Sequence, residues 1–173
     1  RIAFGVNLYN LMMKYANFKV GAPKGKLARN AFFSRVLFNV GGHLYSFSDW
    51  EHGIVRGNAR APYNLRKPFD KNDPRMQFVV EKPDYRIHFG LNCSAKSCPP
   101  VRVLSAEHLE EELQILAVSF CEDDSNVRID AQTRQLHVSM IFYWYLVDFT
   151  NRGLQSLPKL LAKKFLAGVK QQK

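Results

Sequence analysis

The chain has 173 residues, of which 46% are hydrophobic and 23% charged, and its formal net charge is +10 at pH 7. This apolar fraction is ordinary for a globular protein and excludes an intrinsically disordered chain. No stretch approaches the roughly 18 consecutive apolar residues of a transmembrane helix, so we expect no membrane span. The basic residues are scattered singly and match no nucleic-acid-binding signature, which argues against nucleic acid as a partner.

Residues 1–150 are predicted to form one domain, and residues 151–173 a basic C-terminal helix, beginning near Ser156, that packs on the domain or trails it. The sequence begins at Arg1 and enters a helical pattern at once, which favours a domain cut from a longer protein. Three cysteines do not suggest a disulfide framework, and we therefore lean towards an intracellular location.

The first third of the chain predicts a helix, a hairpin and a second, short helix. Helical spacing of apolar residues marks residues 2–18, with an inner stripe at Phe4, Leu8, Leu11, Met12 and Tyr15. Within it, Asn7 and Asn10 either face solvent or bridge to neighbouring loops. Two β-rich runs, residues 31–40 and 43–47, flank a Gly41-Gly42 turn. Ser48 and Glu51 have the spacing of a capping box, which predicts a short helix closed by Gly57.

The remaining two thirds predict a long loop followed by mixed elements. Residues 58–75 have a length often found in functional lids. Residues 86–93 predict a buried strand with Cys93 and His88 on opposite faces. Ser105 is predicted to cap an amphipathic helix, and residues 126–138 are predicted to form a hairpin. Ser139 is predicted to cap an aromatic core helix over residues 140–149.

Because the strands are linked as hairpins rather than alternating with helices, the predicted class is α+β. We expect a small antiparallel sheet built from hairpins, with helices packed against it. Its parts are similar to papain-like or transglutaminase-like folds only by analogy.

One short segment contains candidate catalytic residues: His88, Cys93 and Cys98 lie within a stretch of eleven residues. The small residues 94, 95 and 97 would let a substrate approach the backbone closely, and Lys96 would favour a thiolate. A thiolate nucleophile also needs a histidine base that is oriented by a third group.

We expect Cys98 to be the nucleophile, since it can fold back from the loop, and His52 to be its base. Glu51 or Asp49 would orient the imidazole, and Asn92 or loop amides would stabilise an oxyanion. The alternates are Cys93 as nucleophile and His88 as base. This predicts a thiol-dependent hydrolase or acyl transferase that acts on an unknown protein or peptide and needs no cofactor.

Several other interpretations stay open. The donors Cys93, Cys98, His52 and His88 could bind zinc, although they lack the paired short spacings of structural sites. The two cysteines could form a redox pair. Glu51 and His52 could be purely structural, through capping and packing. The domain could also be a non-catalytic interaction module that docks an acidic partner, through its basic N-terminal half or through Lys159, Lys163 and Lys164.

Four segments, in this order, resemble the domain-of-unknown-function family 547: residues 7–10, the Gly41-Gly42 pair followed by residues 49–57, residues 86–100 and residues 141–149. The resemblance implies a module of larger multidomain proteins, so other domains of the same chain are expected partners. Both cysteines and both histidines named above belong to the family pattern. Gly90 departs from it, because relatives usually have alanine there.

Overall fold

The computed structural model describes residues 1–62, 64–95, 98 and 100–153, with side chains through residue 149. It is a mixed α+β fold with several helices and two small antiparallel sheets of two strands each. The predicted class is confirmed, whereas the expected single sheet is replaced, within the described residues, by two separate hairpins. The predicted C-terminal helix and Lys159, Lys163 and Lys164 lie outside the described residues, as do Lys96 and Ser97 of the cysteine loop.

Helix α1 (Ile2–Val20) lies in the core, but of the predicted stripe only Met12 is buried and Leu8 partly so. Phe4, Leu11 and Tyr15 are each more than half exposed. The buried face of α1 combines small, apolar and polar residues: Ala3, Gly5, Val6, Tyr9, Asn10, Met12, Met13 and Ala16. Small residues let neighbouring elements approach closely, and a Cβ on Gly5 would lie 2.9 Å from Val55. Apolar spacing alone did not distinguish this face from the exposed one.

The next elements are helix α2 (Lys26–Arg35) and a hairpin of β1 (Leu37–Val40) and β2 (His43–Ser46). The prediction of strand from residue 31 was wrong, because residues 31–35 complete α2, whose Phe32 stacks on Phe47 at 5.3 Å between ring centroids. The turn was predicted correctly. Gly41 and Gly42 have φ of +59° and +84°, the left-handed region that favours glycine.

A π-helix follows at Asp49–Val55, and the predicted capping box is absent from it. Ser48 makes no side-chain cap; instead, the Asp49 carboxylate accepts hydrogen bonds from the backbone N–H and the hydroxyl of Ser46, at 3.0 and 2.8 Å. Backbone bonds that span five residues, such as Arg56 N to Glu51 O at 2.9 Å, widen the turn. Glu51 and His52 are therefore turned into the core rather than used at the helix end.

Two 3₁₀-helices lie at Pro74–Phe78 and Tyr85–Phe89. The second overturns the predicted strand over residues 86–93. Its start is fixed by Asp84, whose carboxylate accepts from the Arg86 backbone N–H at 2.8 Å and also pairs with the Arg86 guanidinium. The whole helix is buried, so that His88 is as deeply placed as Ile87.

The later elements match the expectations in part, because Ser105 does not cap α3, whose N-cap is His108. Helix α3 (Leu109–Glu122) buries the predicted Leu113, Leu116 and Phe120, and strands β3 (Val127–Asp130) and β4 (Gln135–Val138) form the second hairpin. Among the described residues, no helix is both long and apolar enough to cross a membrane.

The predicted helix over residues 140–149 is interrupted at Tyr145, between α4 (Met140–Trp144) and α5 (Leu146–Gly153). The Ser139 cap is confirmed, since its hydroxyl accepts from Ile141 N at 3.4 Å. The aromatic run is only partly core, because Tyr143 and Trp144 are 67% and 46% exposed. The interruption leaves Tyr145 facing the residues described next.

Candidate functional site

A set of polar side chains from distant parts of the chain meets in the interior, and we call it the buried polar cluster. Its members come from α1, the π-helix and its end, the second 3₁₀-helix, and the α4–α5 region: Tyr9, Glu51, His52, Arg56, His88, Tyr145 and Asp148. Buried polar groups must be paired to offset the loss of water. The contacts below show how each of these groups is paired.

Glu51 is held by two tyrosines. The Tyr9 hydroxyl donates to Oε2 at 3.1 Å, and the Tyr145 hydroxyl donates to Oε1 at 2.6 Å. Burial alone would raise the pKa of Glu51, but the neighbouring His52, the Tyr145 hydrogen bond and the Arg56 charge offset it, and the pKa lies below its ordinary value. Burial and the Glu51 charge raise the pKa of both tyrosines, so each remains a proton donor. Glu51 is therefore an ionised carboxylate in the core.

Arg56 connects the other members. Its Nε donates to Asp148 Oδ2 at 2.7 Å, and the guanidinium lies over the Tyr145 ring at 4.8 Å from the centroid. His88 Nε2 is 2.9 Å from the same Asp148 oxygen, and the His88 ring stacks on Tyr145 at 3.8 Å. Burial would raise the pKa of Asp148, but the hydrogen bonds from His88 and Arg56 lower it well below its ordinary value.

His52 is set in one tautomer by Arg56. An Arg56 terminal nitrogen lies 2.9 Å from His52 Nδ1, and a guanidinium can only donate, so Nδ1 is the acceptor. The proton of the neutral ring is then on Nε2, which has no hydrogen-bond partner among the described residues. Burial and the Arg56 charge lower the pKa of His52, which keeps the ring neutral near pH 7.

The two loop cysteines form a pair. Their sulfurs are 3.5 Å apart, within hydrogen-bond distance for sulfur, and both side chains are partly exposed. An Arg29 terminal nitrogen donates to the Cys93 carbonyl at 2.9 Å and lies 3.1 Å from Cys93 Sγ. The hydrogen bond from Cys93 outweighs burial and lowers the pKa of Cys98 to about 6, while the pKa of the more deeply buried Cys93 is raised. Sharing a proton between the two sulfurs favours ionisation of one of them, and Cys98 is the one whose pKa is lowered.

Asparagines of α1 fix the ends of the cysteine loop. Asn10 donates to the Gly90 carbonyl at 2.9 Å and accepts from Asn92 N at 2.8 Å. Asn7 makes the same two-way contact with Leu104, at 2.7 and 2.8 Å. Of the two interpretations of Asn7 and Asn10, bridging to neighbouring loops is therefore the one observed. The Asn92 side-chain oxygen accepts from Ser94 N at 2.9 Å, which tightens the turn that leads into the loop.

The cysteine pair and the buried polar cluster are neighbours, but no sulfur is paired with an imidazole. Helix α1 connects them, since Asn10, which holds Gly90 and Asn92 beside the cysteine loop, directly follows Tyr9, which binds Glu51. Among the described residues, no hydrogen bond joins Cys93 or Cys98 to His52 or His88. Glu51 and His52 do lie together, at 3.6 Å between Oε1 and Nδ1, whereas Asp49 is bound to Ser46.

The described residues give no support for a zinc site. Within the described part of the chain, no three His, Cys, Asp or Glu side chains converge as a metal ion would require.

Motif spacing did not single out Tyr9, Arg29, Arg56, Tyr145 or Asp148. A signal was nevertheless present, because all of these except Arg29 lie within the segments that carry the family resemblance. A buried arginine or aspartate is costly unless paired, so its presence in such a segment indicates a partner elsewhere in the chain. Spacing alone does not identify that partner.

Comparison with known families covers the first three of these segments, but not residues 141–149. The model of the family described as "Protein of unknown function, DUF547" matches residues 1–121, and the chain belongs to this family. The matched region contains the cysteine pair, Glu51, His52, Arg56 and His88, while Tyr145 and Asp148 follow it. No curated protein matches the chain, and no solved structure matches it.

Proposed function

We propose that the domain carries out thiol chemistry at Cys98, and that the reaction its geometry supports best is thiol–disulfide exchange with a protein or peptide disulfide. The observation that carries this proposal is the 3.5 Å separation of the Cys93 and Cys98 sulfurs. A reactive cysteine needs thiolate character and access, and Cys98 has a pKa of about 6 and a partly exposed side chain.

The exchange would proceed in two displacements. The Cys98 thiolate attacks one sulfur of the substrate disulfide, forms a mixed disulfide and releases the other substrate sulfur as a thiolate. Cys93 then loses its proton to that thiolate or to water and attacks Cys98 Sγ, which releases the second substrate thiolate. The substrate gains two electrons, and the domain is oxidised to a Cys93–Cys98 disulfide.

Arg29 would support the second displacement. Cys93 is the proton-bearing member of the pair and must ionise to attack. The guanidinium nitrogen 3.1 Å from Cys93 Sγ stabilises the thiolate that develops there. The contact of the same guanidinium with the Cys93 carbonyl holds the sulfur in place.

The exchange is tested with oxidised glutathione as the probe, in a Cys121→Ala background that removes the third cysteine. The reduced domain is expected to lose two hydrogens by mass and to regain them with dithiothreitol. Cys93→Ser should accumulate a glutathione adduct on Cys98, since nothing resolves it, and Cys98→Ser should form neither product. Two thiols that stay free after prolonged exposure, or an adduct that forms on Cys93 instead, would overturn the proposal.

Hydrolysis or acyl transfer through a thioester on Cys98 is the second candidate, with a protein or peptide substrate. It is favoured by helix α1, on which Asn10 holds the cysteine loop one residue after Tyr9 binds Glu51, and Glu51 lies next to His52. His52 or His88 would have to reach Cys98 during the reaction, with Glu51 or Asp49 orienting the ring and Asn92 or loop amides facing the oxyanion. Incubation with p-nitrophenyl acetate separates the candidates: acyl transfer predicts turnover that survives Cys93→Ala and is lost in His52→Ala.

A further inference from the structure

A second site is suggested by a cleft that the thiol chemistry does not use. The cleft has a volume of about 460 Å³ and lies between the start of the π-helix and the loop residues 61 and 64–68. This volume is within the range of small-molecule sites. Its lining includes Ser48, Asp49, His52, Asn64, Arg66 and Lys67.

The walls of the cleft are fixed at both ends of the loop. Arg56 donates to the Arg60 carbonyl at 3.0 Å, just before the loop begins. Phe69 directly follows the loop, and the Asn58 side chain holds its backbone. The Asn58 amide donates to the Phe69 carbonyl at 2.9 Å and accepts from the Phe69 N–H at 3.1 Å. A site whose walls are held in this way needs little ordering when a ligand enters.

His52 supplies a buried donor to this cleft. Its side chain is 10% exposed and lines the cleft, and its Nδ1 is occupied by Arg56. Nε2 therefore carries the ring proton and has no partner among the described residues. A neutral imidazole fixed in this tautomer is a hydrogen-bond donor to a ligand oxygen rather than a proton acceptor.

The charge of the cleft favours an anion. Arg66 and Lys67 are exposed cations on the loop. Asp49 is the only acidic residue among the described lining residues, and its carboxylate is already engaged by Ser46 and lies 3.7 Å from Arg75. The site therefore combines two cations and a neutral N–H donor without an unpaired opposing charge.

We propose that this cleft binds a small ligand through its phosphate group, with His52 Nε2–H, Arg66 and Lys67 as the groups that contact the phosphate oxygens. Phosphate suits this set better than a carboxylate, because it offers more oxygens and a second negative charge to two cations. The proposal is independent of disulfide exchange at Cys98, which does not use His52.

The test is a nuclear magnetic resonance titration of the isotope-labelled domain, with inorganic phosphate as the probe and acetate as the carboxylate comparison. Phosphate is expected to shift the His52 ring and Asn64 resonances saturably, with a Kd of roughly 1 mM or tighter. The double variant Arg66→Gln/Lys67→Gln should weaken binding about tenfold or more. Its matched control is Lys71→Gln/Lys82→Gln, which removes the same charge from exposed residues outside the cleft and should leave Kd unchanged.

Three results would overturn the proposal. They are the absence of saturable shifts at His52, equal weakening in both double variants, and acetate binding as tight as that of phosphate. Because Arg66 and Lys67 are exposed, the variants should fold normally, which the unchanged remainder of the spectrum will show. Oxidation of the Cys93–Cys98 pair is measured separately, so this proposal and the exchange proposal can fail independently.

Discussion

Arg56 is the residue on which the interior depends most. One guanidinium binds Asp148, sets the tautomer of His52, holds the Arg60 carbonyl and lies over Tyr145. Its planar fork with several donors allows this, and lysine could not make the same set of contacts. The same contacts keep the histidines uncharged, because a second cation beside Arg56 would be repelled.

This arrangement makes stability depend on pH. Burial lowers the pKa of both His52 and His88 in the folded state, whereas an unfolded chain titrates near 6.5. Below about pH 6.5 the unfolded state binds more protons, so the free energy of unfolding falls as the pH falls. The loss is up to about 1.4 kcal/mol per pH unit for each histidine, until the folded-state pKa is reached. The lowered pKa of Asp148 adds a further loss below about pH 4.

Urea unfolding followed by tryptophan fluorescence measures this dependence at about pH 7.5, 6.5 and 5.5. We expect lower stability at each step and a smaller slope in His88→Gln. The control His108→Gln changes an exposed histidine and should keep the slope. Stability that is constant or rises on acidification over this range would contradict the account of two neutral, buried histidines.

At the scale of elements, the π-helix determines which side chains reach the interior. Its wide turn buries Glu51 and His52 together, and Gly53 allows the Phe69 ring to lie directly against the backbone. A Cβ at Gly53 would lie 2.4 Å from two Phe69 ring atoms. The ring has little room to move, because Asn58 holds the Phe69 backbone and the Arg75 guanidinium lies 4.2 Å from the ring centroid.

Gly53→Ala should therefore destabilise the domain by about 1–3 kcal/mol through overpacking. Adding Phe69→Leu should recover part of that loss, since the smaller side chain frees the space. Gly90→Ala is the matched control: the closest atom to its Cβ would be the flexible end of Leu116, at 3.2 Å, so we expect a smaller effect. Denaturant unfolding measures all three, and equal losses for the two alanine variants would refute this packing account.

Several elements whose sequence signals come from neighbouring residues were predicted correctly. The Gly41-Gly42 turn, the inner face of α3 and the Ser139 cap each depend on neighbouring residues, and each was found. The capping box at Ser48 and Glu51 had the correct spacing, but two tyrosines bind the carboxylate instead. Those tyrosines lie 42 and 94 residues away in sequence, and their contacts replace the local one.

At the scale of the whole molecule, the site is assembled by long-range contacts. Asn7 and Asn10 of α1 hold the cysteine loop, Arg29 of α2 contacts Cys93, and Asp148 of α5 binds Arg56 and His88. Sequence alone identified Cys93, Cys98, Glu51 and His52 as candidates. It could not show that the sulfurs pair with each other rather than with an imidazole, because that choice depends on where the helices place the loop.

The central claim is that Cys98 is a thiolate near neutral pH because Cys93 donates to it. The most direct measurement is the rate of Cys98 alkylation by iodoacetamide across pH, followed by peptide mass spectrometry. Since only the thiolate reacts, the rate should reach half its maximum near pH 6. In Cys93→Ala the midpoint should rise towards the ordinary thiol value of about 8.5, and in Cys121→Ala it should not move. A midpoint near 8.5 in the unaltered domain, or one unaffected by Cys93→Ala, would contradict the account.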